Sequence, residues 1–316
     1  GPIPGTDKAT FFFSGERRWL ADRSPSSVTS LSLPDGRDRL PGNWRSGWSY
    51  QGKVRVDFTP TFKLELGGSG SNDDWSEYQH NYLFDIKHTP FYNDKNLGLN
   101  AKITHTLNAK TFYNLSGSYN MTYRFRGDGV HRDDIWAYGR PNGNYRFEDT
   151  HLFWQYDVDS TPAGTVTDTV DGVIRTFVDS LDEGSVWDDY YKRKSSYIGF
   201  KGDINTELDQ YNTLKAGFEF QSHTLRYYRH LFPVRVSQSA DSGAFDDVDR
   251  YGYDLYGQEA DPSGDNNATK HPINFAGFAQ DRIEWRGMIV SAGLRFDYFD
   301  YKAKRLKSIT RPFDPD

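Results

Sequence analysis

Paired carboxylates are the first groups in this chain that could do chemistry. Asp73-Asp74, Asp133-Asp134, Asp188-Asp189 and Asp246-Asp247 each set two acids side by side. Hydrolysis of a glycosidic bond needs two carboxyls facing each other across a cleft. Adjacent acids in four separate stretches, each beside basic and aromatic residues, read as solvated loop charge instead. Asp241, Asp246, Asp247, Asp249 and Asp254 form an oxygen-rich stretch of the kind that can hold calcium. Their spacing departs from the EF-hand pattern, and no Glu stands where a bidentate ligand belongs. The eight histidines are His80, His88, His105, His131, His151, His223, His230 and His271. None of them forms His-x-x-x-His or another close metal spacing. There is no Gly-x-Ser-x-Gly elbow and no cysteine. These residues predict no enzyme, no metal centre and no cofactor. Asn114-Leu115-Ser116, Asn120-Met121-Thr122 and Asn267-Ala268-Thr269 match the glycosylation triplet. The first two fall inside strand patterns, so chance explains them better than a sugar does.

Aromatic side chains are the better binding candidates. Trp136, Tyr138, Tyr145, Phe147, Phe153, Trp154 and Tyr156 crowd one long polar stretch. Exposed rings among polar groups suit glycans, peptides or aromatic chelates. Trp136, Tyr138, Trp154 and Tyr156 are the candidate substrate contacts. The competing reading, that these rings pack the loop into a small core of its own, stands beside it.

The elements that must carry these residues are strands. Trp48, Tyr50, Gly52, Val54, Val56 and Phe58 alternate with Ser49, Gln51, Lys53, Arg55 and Asp57. Only a strand keeps those two sets on opposite faces. The alternation returns at residues 111–126, 214–221 and 288–298. Nine strands are predicted, at about 9–20, 47–58, 62–70, 97–107, 111–126, 195–206, 212–229, 273–285 and 288–302. Short turns at 59–61, 108–110, 207–211 and 286–287 alternate with long loops at about 21–46, 71–96, 127–194 and 230–272. Within the third loop, Asp171-Gly172 between residues 165–170 and 173–178 signals a hairpin. Residues 240–270, rich in Asp, Gly, Ser and Asn, read as a mobile loop.

Alternating strands with short turns on one side and long loops on the other are how a transmembrane β-barrel is written in sequence. Mean hydropathy is low, at -0.80, and no apolar run approaches the roughly 18–20 residues of a spanning helix. A barrel hides its apolar half in alternation, so the low average does not count against it. Aromatics make up 16% of the chain, in keeping with the rings that collect at membrane interfaces. Net charge is -6 with no basic stripe, which argues against a nucleic-acid partner. Lys53, Arg55, Arg124, Lys201, Lys215, Glu219, Arg295 and Asp297 would face the lumen and pair with each other or with whatever fills it. The fold class expected is all-β, an antiparallel transmembrane barrel segment, with residues 1–316 as one partial barrel domain.

Three stretches carry a family resemblance. "FAGFAQDRIEW" (275–285) with "VSAGLRFDYFD" (290–300) is similar to a descending strand, tight turn and ascending strand of TonB-dependent outer-membrane receptors. "THTLNAKTFYNLSGSY" (104–119) and "KATFFFSGERRWL" (8–20) resemble the same family, nearest its Oar-like branch. The resemblance implies a bacterial outer-membrane location and a 22-stranded barrel. It also implies a plug domain and a contact segment for the TonB complex, so this chain would be a piece of a longer protein. Its partners would be outer-membrane lipid, the rest of the barrel, the plug and TonB. The function implied is active uptake of a bound siderophore, glycan, peptide or similar substrate. Two rivals stay open: a passive channel or adhesin barrel without energy coupling, and a soluble glycan-binding β-protein. The soluble rival needs a second sheet over its apolar face.

Overall fold

A computed structural model describes residues 1–23, 39–82, 85–139, 165–170, 173–178, 186–233, 236, 245, 247–261 and 267–302. The strands are β1 (Ala9–Leu20), β2 (Arg45–Thr59), β3 (Phe62–Ser76), β4 (Pro90–Asn108), β5 (Thr111–Asp128), β6 (Thr165–Val170), β7 (Val173–Val178), β8 (Asp189–Glu207), β9 (Asn212–Leu231), β10 (Val248–Tyr251), β11 (Ile273–Trp285) and β12 (Met288–Asp300). Ten of them form one antiparallel sheet in the order β1-β2-β3-β4-β5-β8-β9-β11-β12, with β10 paired to β9 beside that path. The remaining two, β6 and β7, form the hairpin expected around Asp171-Gly172.

The pairs β2–β3, β4–β5, β8–β9 and β11–β12 are hairpins with short connections, so their registers are counted outward from a tight turn. At the β11–β12 turn, Arg286 and Gly287 both take positive φ, at 48° and 81°. That conformation matches the twist of the flanking strands. At the β8–β9 turn the Asp209 carboxylate accepts the backbone N–H groups of Tyr211 and Asn212 at 2.7 and 2.9 Å.

The strands differ from the sequence reading chiefly at one end. Both β3 and β4 run on past residues 70 and 97, leaving only 77–89 between them. Likewise β8 starts at Asp189. The reason is physical: apolar alternation stops where lipid stops, but the hydrogen-bond ladder need not. The 20 residues of β9 would extend about 65 Å at ~3.3 Å per residue. Roughly 9–11 tilted residues cross a bilayer. About half of such a strand therefore stands above the membrane. The stretch expected to be mobile is corrected too: within it, β10 pairs with Tyr227–His230 of β9, and residues 252–260 form a closed turn.

One face of the sheet is apolar along its middle and lower part. Val54, Leu66, Leu99, Leu115, Ile198, Phe200, Phe218, Phe275 and Leu294 lie on it, and all are exposed, Leu294 to 85%. Among the described residues no second sheet covers this face, the cover that a soluble sandwich would need. No helix among the described residues is long and apolar enough to cross a membrane.

Candidate functional site

The opposite face is polar, and its composition changes with height. Low on this face its charges are paired, across strands or two residues along one strand. Lys53 meets Glu65 at 2.9 Å, Arg55 meets Asp57 at 3.0 Å, and Arg295 meets Asp297 at 2.8 Å. Of the wall groups expected to pair with one another, Arg295 meets Asp297 and approaches Glu219, while Lys53 and Arg55 pair with other acids. Above them lies a belt of Ser14, Gln51, Ser69, Ser71, Asn96, Asn120 and Thr122, with Glu16 its one charged group, lining a shallow groove.

Higher still, two rows of cross-strand partners carry most of the arginines. The lower row runs Arg18, Gly47, Asp73, Asp94, Arg124, Arg193, Tyr227, Tyr251. The upper row runs Leu20, Arg45, Trp75, Tyr92, Arg126, Tyr191, Arg229, Asp249. Direct partners in an antiparallel pair project from the same face, so each row forms a continuous strip.

Three aspartates organise the strip. Asp73 is 2% exposed and holds Arg18 at 3.2 Å and Arg45 at 3.1 Å. Only glycine fits at position 47 beside it, because a Cβ there would lie 1.9 Å from the Asp73 carboxylate. Asp94 takes a two-pronged bond from Arg124 at 2.6 and 2.8 Å, and a third from the Trp75 indole at 3.0 Å. Asp189 holds Arg229 at 2.9 Å and also pairs with Arg126. Forked guanidinium–carboxylate bonds fix both position and plane.

The rings between these pairs are ordered in turn. Trp75 and Tyr92 stack at 3.6 Å with their planes 1° apart. Arg23 lies over the Trp75 ring at 4.4 Å, and Arg126 over Tyr191 at 5.4 Å. Tyr191 meets Tyr227 edge-on, and Tyr227 stacks on Tyr251. The two rows hold six arginines (18, 45, 124, 126, 193 and 229) against three aspartates (73, 94 and 249), with the carboxylates of Asp189 and Glu77 just above them against Arg229 and Tyr92. Arg193 has no ion pair among the described residues. An arginine-rich wall with flat rings suits an anionic, planar or aromatic ligand.

The sequence-derived candidates lie elsewhere. Tyr138 is fully buried; its hydroxyl accepts the Asp128 N–H at 2.6 Å and donates to the Arg132 carbonyl at 2.8 Å. Burial, then the charge of Asp128, pushes this phenol well above its ordinary pKa, so it stays a neutral donor. Trp136 is part-exposed, with its ring against Phe245 and Tyr256. Trp154 and Tyr156 lie outside the described residues, as do Asp241 and Asp246. Asp254 spends its carboxylate on the N–H groups of Tyr256 and Gln258.

Asp73 and Asp189 correct the reading of the acid pairs as solvated loop charge. Both sit in extended strands and are desolvated by arginine forks. The signal for this strip was in the sequence: basic and aromatic residues alternate at "YRFR" (123–126), "YYKRK" (190–194) and "RYYRH" (226–230).

No protein-family model and no curated protein matches the chain. Solved structures do. A mutant of the ferric enterobactin receptor PfeA of Pseudomonas aeruginosa superposes with a TM-score of 0.50 at 14% identity, over 95% of this chain and 36% of that one. The fold is that of part of an outer-membrane β-barrel. The outer-membrane transporter YddB of Escherichia coli matches with a TM-score of 0.43 at 13% identity, over 94% of this chain and 32% of that one. The chain therefore spans about a third of the length of the structures it matches.

Proposed function

We propose that this chain forms part of the wall and extracellular vestibule of a TonB-dependent receptor in a bacterial outer membrane. On this reading the apolar face meets lipid, and further strands pair with the outer edges of β1 and β12. An unpaired strand edge in hydrocarbon leaves each backbone group several kcal/mol short, at roughly the cost of a lost hydrogen bond. A plug and the TonB complex complete the uptake machine, in the manner of the Oar-like receptors that the strand motifs resemble.

The observation that carries the proposal is the arginine–aromatic strip on the polar face, above a belt of mostly amide and hydroxyl side chains. It supports capture of an anionic, aromatic or chelate-like substrate, such as a ferric siderophore, ahead of a neutral glycan. Trp136 and the loop residues Trp154 and Tyr156 remain proposed contributors at the rim; Tyr138 supports the loop from within.

The test is uptake of iron-loaded siderophores of different charge by cells that carry or lack the gene. Arg193→Glu is the informative variant, since it removes no ion pair among the described residues. Loss of one charge-assisted contact predicts a fall in affinity on the order of tenfold for an anionic cargo. Collapse of the proton gradient should abolish accumulation. Uptake that survives this collapse would instead identify a passive channel, and binding with no uptake would identify an adhesin.

A further inference from the structure

Among the described residues, one group of three side chains has the composition of a metal centre: His88, Asp128 and His131. One ligand atom from each lies within 4.8 Å of the other two. We propose that these residues bind a late first-row divalent cation, with Zn2+ as the natural occupant, and that the ion braces the foot of the longest extracellular connection.

The three residues come from two separate connections. His88 closes the short 3-10 helix Ile86–His88 between β3 and β4, while Asp128 ends β5 and His131 sits in the turn beyond it. Forty residues separate His88 from Asp128, so no local spacing reveals the group. Gly129 lets the two segments meet, because a Cβ there would lie 2.2 Å from the Lys87 carbonyl.

The carboxylate is held as a metal ligand must be. Asp128 is fully buried; one oxygen accepts the N–H groups of Val130 and His131 at 2.8 and 2.9 Å. The other accepts the Trp187 N–H at 3.1 Å and meets His88 Nδ1 at 2.7 Å. Backbone donors of this kind fix a ligand's orientation. The two imidazoles lie 5.5 Å apart, centre to centre, and His131 packs against the Tyr138 ring.

Two imidazoles and one carboxylate suit zinc and its neighbours rather than calcium or magnesium, which prefer all-oxygen sites. Around zinc the donors would sit roughly 3.4 Å apart, from metal–ligand bonds of about 2.0–2.2 Å. Closing the site would draw donors that lie within 4.8 Å of one another in to that spacing, by small adjustments of the side-chain torsions. Through Asp128 and the Trp187 N–H, the ion would tie together the 86–88 segment, the end of β5 and the entry to β8. With no cysteine in the chain, no thiolate competes for it. A hydrogen-bonded His88–Asp128 ion pair alone is the competing account, and it predicts no metal dependence. The proposal is independent of the cargo reading.

The experiment is a Zn2+ titration by calorimetry on the full chain in detergent, tag-free and chelator-stripped, alongside His131→Gln and His88→Gln. The expected result is one Zn2+ per chain, with affinity at least tenfold weaker in each variant. Co2+ in place of Zn2+ should give visible ligand-field absorption that His131→Gln loses. His131→Gln leaves the Asp128 backbone bonds intact, and unchanged heat-dependent migration on a gel checks its folding; if it misfolds, His88→Gln decides alone. Absence of saturable Zn2+ binding to the wild-type chain overturns the proposal. So does binding that neither variant weakens.

Discussion

The apolar face of the sheet is covered in two different ways along the same strands. In the middle and lower part of β4, β5, β8 and β9 its residues are Leu99, Leu115, Phe200 and Phe218, bare in the chain. Toward the upper end the same face carries Phe91, Phe125, Tyr190 and Tyr228, all buried. There Ile135, Tyr138, Val186, Val236 and Tyr253 of the connections fold back over it. The alternation is unchanged across the boundary; the residue types are not. On β4 and β5 Leu gives way to Phe, and on β8 and β9 Phe, which needs no partner, gives way to Tyr, whose hydroxyl must find one. Tyr190 donates to the Asp133 carbonyl at 3.1 Å and Tyr228 to the Leu255 carbonyl at 2.9 Å. Lys192 on the same face reaches the Gly257 carbonyl at 3.1 Å. A fluid solvent covers one part, and a fixed set of backbone acceptors covers the other.

The largest effect that tests this contrast lies within β8. Tyr190→Ala should lower stability by about 3–5 kcal/mol, since it empties a packed site and strands a carbonyl. Tyr190→Phe should cost about 1 kcal/mol for the hydrogen bond. Phe200→Ala, ten residues down the same face, should cost far less than Tyr190→Ala, because lipid flows into the space. Denaturant unfolding of the chain in vesicles measures all three. Equal costs for Tyr190→Ala and Phe200→Ala would mean that protein, not lipid, covers the lower part.

The converse substitution is next in size. Leu99→Arg places a charge on the bare face near mid-strand. In a bilayer it should cost about 2–4 kcal/mol, falling toward the interfaces. On a water-exposed face the same change would stay within about 0.5 kcal/mol. The second outcome would sink the membrane reading of this face.

What the sequence revealed follows the same boundary. The limits of β1 and β11 were legible because turn signals and apolar alternation end together there. The register across β2 and β3 was legible in principle, counting out from residues 59–61. The reading stopped at Gly70, where apolar alternation gives way to Ser71, Asn72, Asp73 and Asp74, although the ladder continues to Ser76. Asp73 therefore counted as loop charge, and its height opposite Gly47, with Arg18 beyond, was out of view. Alternation assigns a face, but height comes only from register. The four residues of β10 are too short to show any period, and they are strand only because β9 has a free edge above β11. The clustering of His88 with His131 depends on two connections meeting at Gly129, which no local pattern encodes.

The smallest effect asks what holds the upper cover in place. On the outer face Lys194 meets Glu259 at 2.8 Å, and Arg226 approaches the same carboxylate at 3.7 Å. Both partners of the closer pair are partly open to water, so their attraction is screened and side-chain entropy opposes it. A double-mutant cycle of Lys194→Ala and Glu259→Ala should give a coupling of about 0.2–1 kcal/mol, shrinking as salt is raised. The tyrosine core would then supply most of the hold, with the ion pair adding register to the 252–260 turn. A coupling of several kcal/mol that salt leaves unchanged would place this pair in a dry setting. The lipid boundary would then have to lie higher on the strands, above Lys194, and the loops would be resting in the headgroups rather than standing clear of them.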